Sequence, residues 1–235
     1  MRQDILIAGV GGQGILSVAF VICNAALEEG LNFKQAEVHG MAQRGGAVQS
    51  NLRLSSDPIA SDLIPKGGCS LLLSVEPLEA LRYLDYLGVD GAVVTSINPF
   101  VNIPNYPSMD AIWAELDKAA DVTPIDAASL AKQSGSPLSA NMVMLGAGSY
   151  RLPLKLDGLE KWVRNSWKAK GDKVVEINLK AFRAGRKMAE FLQAASEAGA
   201  TPADLRTLTS AMNIDEIDPA KASRWADLIH AHTSK

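Results

Sequence analysis

Cysteine and histidine are scarce in this sequence, and basic residues are not in excess over acidic ones; each of these features excludes a kind of site. Cys23 and Cys69 are the only cysteines among 235 residues, too few for an iron–sulfur cluster or a structural zinc site. Lys and Arg number 23 against 26 Asp and Glu, so there is no basic excess to neutralise the phosphates of a nucleic acid. Two of the three histidines lie near the C-terminus, which leaves His39 as the candidate for a general base. We therefore expect no metal bound by this chain and no nucleic-acid partner.

Long apolar runs are missing as well. The most apolar stretch, Ile15 to Leu27, is shorter than the roughly 20 residues that a membrane-spanning helix needs, and it contains Asn24. The sequence also lacks the charged region, apolar core and cleavage site of a secretory signal. We therefore expect a cytoplasmic protein that makes no contact with a membrane.

Short apolar runs alternate along the chain with segments of helical periodicity. Hydrophobic residues make up 47% of the sequence, enough for a packed core. Short apolar runs bounded by glycines or by turns are typical of buried parallel strands. Helical segments between such strands predict a Rossmann-like, doubly wound α/β fold, with a mainly parallel sheet and helices on both faces. The predicted strands are Asp4–Ala8, Phe33–Val38, Ser70–Val75, Gly91–Ile97 and Val122–Ile125.

Two segments and the C-terminal region depart from this alternation. Val48–Leu54 alternates polar and apolar residues, which predicts a half-exposed strand in an antiparallel excursion. Leu138–Tyr150 is predicted to be a buried helix with small residues on one face. From Gln193 onward the composition shifts towards Ala, Thr and Asp, with two short helical patterns. We therefore expect a domain of residues 1–192 and a helical extension of residues 193–235.

The first predicted strand ends in a glycine-rich loop, Gly9-Val10-Gly11-Gly12-Gln13-Gly14. Glycines at these spacings between a strand and a helix permit a tight turn and a close approach of backbone to ligand. Free N–H groups at the helix start favour an anion such as a phosphate. Three interpretations stay open: a dinucleotide site, another phosphate-bearing ligand or a partner surface, and glycines that serve packing alone. Glu37 is the only candidate for the acid of a dinucleotide site, and the polar loop after it would crowd an adenosine.

A second glycine-rich loop, His39-Gly40-Met41-Ala42-Gln43-Arg44-Gly45-Gly46, should lie at the carboxyl end of the second strand, where ligands of open α/β sheets collect. Arg44 is able to pair with a carboxylate or phosphate in a bidentate fork. His39 is able to exchange a proton near neutral pH. The alternative is a solvated loop whose arginine pairs with an acid or caps a helix.

The two loops, in this order and at this separation, resemble a known family. GVGGQG (Gly9–Gly14) and EVHGMAQRGG (Glu37–Gly46) are similar to motifs in the gamma-type subunits of 2-oxoacid ferredoxin oxidoreductases, which act on pyruvate, ketoisovalerate or indolepyruvate. The similarity is greatest to the beta subunits of the indolepyruvate enzymes. The segment Asn141–Ala147 resembles a further family segment. The resemblance covers residues 1–192 and leaves the extension unexplained.

The resemblance implies a reaction and a distribution of the cofactors between this chain and a partner subunit. Such complexes convert a 2-oxoacid and coenzyme A into an acyl-CoA and carbon dioxide, with reduction of ferredoxin. Thiamine diphosphate with magnesium forms the carbanion, and iron–sulfur clusters carry the electrons. This chain has neither a Gly-Asp-Gly stretch with a downstream Asn for magnesium diphosphate nor the cysteines for clusters. We expect a larger partner subunit to hold both, and the isolated chain to be inactive.

Site residues follow from the two loops and from the third matching segment. We expect His39 and Arg44 to face the active site as candidate catalytic residues. Asn141 is expected to support the loops, with simple helix capping as the alternative. Two rival functions stay open, a self-contained NAD(P)-dependent oxidoreductase and a non-catalytic interaction module. The residues expected to bind coenzyme A or its phosphate, or to face the partner, are Gly9, Gly11, Gly12, Gln13, Gly14, Gln43 and Asn141.

Overall fold

The computed structural model describes residues 1–39 and 45–233, and within them six strands form one sheet. The strand order is β2-β3-β1-β4-β5-β6. Strands β1, β4, β5 and β6 are parallel, whereas β3 is antiparallel to both of its neighbours. The antiparallel excursion expected near residue 48 is therefore present. The strands are β1 (Arg2–Val10), β2 (Asn32–His39), β3 (Ala47–Ser55), β4 (Cys69–Ser74), β5 (Leu87–Ser96) and β6 (Val122–Ile125).

Helices cover both faces of the sheet. Ile5 and Ile7 on β1 point into one hydrophobic cluster with α1, α5, α6 and α7. Leu6 and Ala8 point into a second cluster with α2 and α3 on the other face. Because alternate residues of a strand face opposite sides, both sets are buried, and the predicted fold class is confirmed. The helices are α1 (Ile15–Glu28), α2 (Pro77–Arg82), α3 (Met109–Leu116), α4 (Ala127–Ser134), α5 (Ala140–Ser149), α6 (Leu156–Trp167), α7 (Asp172–Glu197), α8 (Pro202–Ala211) and α9 (Trp225–Thr233).

Strand β3 is mostly buried, so the prediction of a half-exposed strand was wrong. The polar residues Asn51 and Arg53 face a covered surface, because the chain that follows β3 folds back over them. Arg53 forms an ion pair with Asp4, with Nε 2.8 Å from Oδ1, and both side chains are buried. The same guanidinium donates to the carbonyls of Ser61 and Leu63 at 3.1 and 2.8 Å. A buried charge that is paired and hydrogen-bonded in this way is tolerated in a core.

Helices α5 and α7 pack with their backbones in direct contact. A Cβ atom at Gly146 would overlap the carbonyl oxygen of Phe182, and one at Gly185 would overlap that of Val143. Of the small residues predicted to lie on one face of the segment 138–150, Gly146 faces α7, whereas Gly148 faces Leu73 of β4. This segment begins as a 3₁₀ turn (Pro137–Ser139) and becomes α-helical only from Ala140.

The C-terminal extension packs against the domain at the β6 edge of the sheet. Arg206 on α8 lies over the ring of Trp113, 4.8 Å from its centroid, and its Nη1 is 2.7 Å from Oδ1 of Asp117. The N–H of Ile214 donates to Oε1 of Gln133 at 2.8 Å. The proposed boundary at residues 192/193 lies inside α7, which continues to Glu197. The apolar side chains that anchor the extension are Leu205, Leu208, Met212, Ile217 and Ala222.

Helices α2 and α3 end early along the chain: α2 ends at Arg82, where a 3₁₀ turn follows, and α3 ends at Leu116. Such ends are set by local hydrogen bonds that composition does not reveal. None of the helices in the described part of the chain is long and apolar enough to span a bilayer.

Candidate functional site

One edge of the sheet, here called the carboxyl edge, collects the loops that the sequence singles out. The parallel strands β1, β4, β5 and β6 all end there, as does β2, and β3 begins there. The two glycine-rich loops are joined at this edge by the backbone, because Gly11 N donates to the carbonyl of Gly46 at 2.8 Å. Asn102, from the loop after β5, donates through Nδ2 to the carbonyl of Gly45 at 2.6 Å. Three loops therefore meet where ligands of open α/β sheets bind.

The first glycine loop is held in shape by its own residues. Gly12 and Gly14 have φ values of 101° and 77°, in the left-handed region that favours glycine. Oε1 of Gln13 accepts from the N–H of Val10 at 2.7 Å. A Cβ at Gly9 would lie 2.8 Å from that same Oε1. In this structure Gln13 thus positions the loop, and Gly9 makes room for it.

The N-terminus of α1 carries unpaired N–H groups. Its cap residue, Gly14, offers no side-chain acceptor, and the first turn contains no acid. Among the described residues, the N–H groups of Gly12, Gly14, Ile15 and Leu16 have no hydrogen-bond partner. Such groups at the positive end of a helix dipole favour an anion.

Gly12 lines two clefts at the carboxyl edge. A cleft of about 290 Å³ lies between the glycine loop, Leu16 and Val48. A second cleft of about 370 Å³, here called the edge cleft, lies between the loops after β1 and β5 and the N-terminal ends of α4 and α5. Its lining is mixed polar and apolar, as in small-molecule sites, although both clefts are near the small end of that range. The residues of the edge cleft used below are Gly12, Asn98, Phe100, Ala128, Leu138 and Asn141.

Asn141 connects α5 to the glycine loop. It is the second residue of α5, whose N-cap is Ser139, so the capping interpretation was wrong. Its Nδ2 donates to the carbonyl of Gly14 at 3.2 Å, across 127 residues of chain. Its Oδ1 is buried and has no partner in the described part of the chain. A Cβ at Gly14 would overlap Nδ2 of Asn141, so the two residues fit each other closely.

Two acids at strand ends hold residues that line the edge cleft, and neither acid was predicted from the sequence. The carboxylate of Glu76, which follows β4, accepts from the N–H groups of Glu79 at 2.8 Å and Phe100 at 3.2 Å, and from the hydroxyl of Tyr106. Burial and the hydrogen bond to Glu76 raise the pKa of the Tyr106 phenol. Glu76 therefore ties the loop after β5 to the start of α2.

The second acid, Asp126, caps α4. Its Oδ1 accepts from Ser129 N at 2.9 Å and from Nδ2 of Asn98 at 3.0 Å. Oδ1 of Asn98 in turn accepts from Ala128 N at 2.9 Å. An acid directly before a helix is typical of an N-cap, so the capping role of Asp126 was predictable from the sequence. Its hydrogen bond to Asn98 was not.

The remaining predicted site residues belong to the second loop. Gln43 and Arg44 lie outside the described residues. His39 ends β2, and only its backbone is described. Glu37 is exposed on β2, and the antiparallel strand β3 separates it from β1, so it lies roughly 10 Å, or two strand spacings, to the side. In a dinucleotide fold the acid-bearing strand is the parallel neighbour of β1, so this topology disfavours the dinucleotide interpretation.

The thiols contribute no chemistry to the carboxyl edge. Burial, followed by the charge of Glu37, raises the pKa of Cys23 to about 12, and burial raises that of Cys69 to about 11. Since the thiolate is the reactive form, neither thiol is a nucleophile near neutral pH. The described residues also contain no group of three His, Cys, Asp or Glu that would hold a metal ion.

Comparison with known proteins identifies the family. The pyruvate ferredoxin/flavodoxin oxidoreductase family matches residues 4–188. The chain belongs to this family. Indolepyruvate oxidoreductase subunit IorB of Archaeoglobus fulgidus is 37% identical over 198 residues, which cover 80% of this chain and 96% of that subunit. The resemblance found in the two glycine loops is therefore confirmed, and the chain groups with the subunits of 2-oxoacid oxidoreductases.

Two solved structures share the fold of this family member. The 2-oxoglutarate:ferredoxin oxidoreductase of Magnetococcus marinus, solved with 2-oxoglutarate, coenzyme A and succinyl-CoA, is 21% identical with a TM-score of 0.66. The match covers 89% of this chain and 41% of that longer one. The gamma subunit of a keto/oxoacid ferredoxin oxidoreductase from Geobacter sulfurreducens is 24% identical, with a TM-score of 0.58, over 80% of this chain and 98% of its own.

Proposed function

We propose that this chain is the small subunit of an indolepyruvate-type oxidoreductase complex. The complex would convert an arylpyruvate and coenzyme A into an aryl-acyl-CoA and carbon dioxide, passing two electrons to ferredoxin. A larger partner would hold thiamine diphosphate, magnesium and iron–sulfur clusters, because this sequence has only two cysteines and no Gly-Asp-Gly stretch for magnesium diphosphate. The observation that carries the proposal is the edge cleft beside the unpaired N–H groups of α1.

Coenzyme A is the ligand that we assign to this chain. Its phosphates match the N–H groups at Gly12 and Gly14, and its pantetheine arm matches apolar walls such as Phe100 and Leu138. The Magnetococcus marinus enzyme, which shares the fold, was solved with this molecule bound. The chain's part in the reaction would be to bind and orient the acyl acceptor at the surface facing the partner's cofactor.

The carboxyl edge also presents apolar side chains to solvent, which supports a partner at this edge. Leu138 is 89% exposed and Val101 is 69% exposed. Exposed apolar groups clustered around a cleft are typical of surfaces that another protein covers. With a partner in place, the edge cleft would lie at the boundary between the two subunits. The other exposed apolar residues near this edge are Leu16, Phe100 and Ile103.

Calorimetric titration of coenzyme A into the assembled complex tests the assignment. Gly12→Asp places a carboxylate where the phosphate is expected, so we expect affinity to fall at least about tenfold, through charge repulsion at a helix N-terminus. Gly12→Asn has nearly the same shape without the charge and should bind more tightly than Gly12→Asp. Gly30→Asp is the control for backbone strain, because Gly30 has a φ of 76° at the other end of α1. Equal affinity of the wild type and Gly12→Asp would refute the assignment.

The non-catalytic alternative makes a different prediction for the same variants. If the glycine loop served only as an interface, Gly12→Asp would weaken assembly but leave coenzyme A affinity unchanged in the complex that remains. Analytical gel filtration of the variant with its partner, run beside the titration, separates the two outcomes.

A further inference from the structure

A buried hydroxyl of the C-terminal extension is hydrogen-bonded to the wall of the edge cleft. Oγ1 of Thr209, on α8, accepts from the backbone N–H of Asp126 at 2.9 Å, and Thr209 is 1% exposed. Asp126 is the residue that caps α4 and holds the side chain of Asn98. Asn98 lines the edge cleft. A hydrogen-bonded path therefore runs from the extension to the site.

Helix α8, which carries Thr209, is itself held against the domain. Arg206, one turn before Thr209, is held by Trp113 and Asp117, which belong to the domain. Leu205 and Leu208, on the same helix, are buried beneath it. With α8 fixed to the domain by these contacts, the hydroxyl of Thr209 holds Asp126 in a set position.

We infer that the C-terminal extension positions the Asn98 wall of the edge cleft through Thr209. Thr209 is a positioning residue, since it acts on the cleft through Asp126 and Asn98. Its effect on coenzyme A rests on the proposed function, but the hydrogen-bonded path does not. The family match ends at residue 188, and IorB of Archaeoglobus fulgidus, covered over 96% of its length, corresponds to only 80% of this chain. The extension, which lies beyond the family match, thus supports the edge cleft in this chain.

Hydrogen exchange on the full-length chain tests the path directly. Thr209→Val keeps the shape of the side chain but removes the acceptor, leaving the Asp126 N–H unpaired. We expect exchange in residues 97–101 to become roughly fivefold faster, the effect of losing about one hydrogen bond. Thr209→Ser keeps the hydroxyl and should exchange like the wild type. Should Thr209→Val fail to fold, Thr209→Ala removes the same acceptor with less steric demand.

Thr207→Val is the matched control, because Thr207 is exposed on α8 and its hydroxyl donates to the carbonyl of Ala203, one turn earlier in the same helix. It should leave exchange in residues 97–101 unchanged. If Thr209→Val accelerates exchange only in α8 and residues 125–130, the inferred positioning role is refuted.

Steady-state kinetics of the assembled complex then tests the consequence for the ligand. Thr209→Val should raise the KM for coenzyme A about fivefold with kcat unchanged, while Thr209→Ser restores the wild-type value. Faster exchange in residues 97–101 together with an unchanged KM would support the path and overturn the assignment of coenzyme A to the edge cleft. The two ideas can therefore fail separately.

Discussion

At Gly14 two independent constraints meet on one residue. The backbone is left-handed, with a φ of 77°, and the space beside it is filled by the amide of Asn141. An L-residue there would meet backbone strain of about 1–2 kcal/mol and, separately, a steric overlap with that amide. The glycine is therefore needed for the approach of α5 to the loop as well as for the turn.

A double-mutant cycle separates these constraints. We expect Gly14→Ala to destabilise the chain by about 3 kcal/mol, and Asn141→Ala by about 1 kcal/mol through the lost hydrogen bond. In the Asn141→Ala background the overlap is gone, so Gly14→Ala should cost about 1 kcal/mol less. Urea unfolding of the four proteins gives the coupling energy, and strictly additive costs would show that the overlap is relieved by movement elsewhere.

The raised pKa of Cys23 makes stability depend on alkaline pH. An unfolded thiol loses its proton from about pH 9, whereas the native one keeps it to about pH 12, so the native state binds more protons in that window. The stability that the protonated Cys23 thiol contributes is fully present below pH 9 and is lost as the pH rises towards 12. Between pH 8 and pH 10.5, wild-type stability should fall about 2 kcal/mol more than that of Cys23→Ala. Urea unfolding at both pH values measures this, and parallel curves would contradict it.

At the scale of elements, the contact between α5 and α7 sets the position of Asn141. Gly146→Ala would push the two helices apart, because a Cβ would overlap the backbone of Phe182. We expect a loss of about 3 kcal/mol in the free energy of unfolding. Gly158→Ala on α6 is the control, since its Cβ would approach nothing closer than Oε1 of Glu29 at 3.6 Å. That variant should be unchanged or up to about 1 kcal/mol more stable, and an equal loss in both would refute the close-packing argument.

The elements themselves were largely predictable, because strands and helices leave a local periodicity. The strand Asp4–Ala8 and the helix at Leu138–Tyr150 were recognised from patterns within a few residues. The burial of Arg53 was not, since its partners come from a loop and from β1, which only the folded topology brings together.

The candidate site was predictable to the extent that its residues are neighbours in the chain. The glycine loop was predicted, because its residues are adjacent in the sequence. In contrast, the hydrogen bond from Asn98 to Asp126 joins residues that are 28 positions apart, and the one from Asp126 to Thr209 joins residues 83 positions apart. No sequence pattern specifies such pairs, because the intervening chain is free to place them anywhere until the sheet order is known.

On the scale of the whole molecule, exposed apolar side chains lie at both ends of the sheet. Leu138 lies at the carboxyl edge and is 89% exposed, whereas Val89, near the start of β5 at the opposite end of the sheet, is 96% exposed. We expect Leu138→Asp to weaken association with the partner subunit at least about tenfold, and Val89→Asp to leave it unchanged. Both should fold normally, since neither side chain is buried. Quantitative co-purification of the tagged variants is the measurement, and equal retention of the partner would contradict docking at the carboxyl edge.

The stacking of Arg206 over Trp113 gives the molecule a built-in fluorophore for its own extension. Trp113 is 8% exposed, and α8 provides part of its cover. If α8 leaves, the indole meets water and its emission shifts to longer wavelength. The difference between the spectra of the wild type and Trp113→Phe isolates this emission from that of the other tryptophans. Docking of the extension can therefore be followed in real time, without a label, during folding, assembly or turnover.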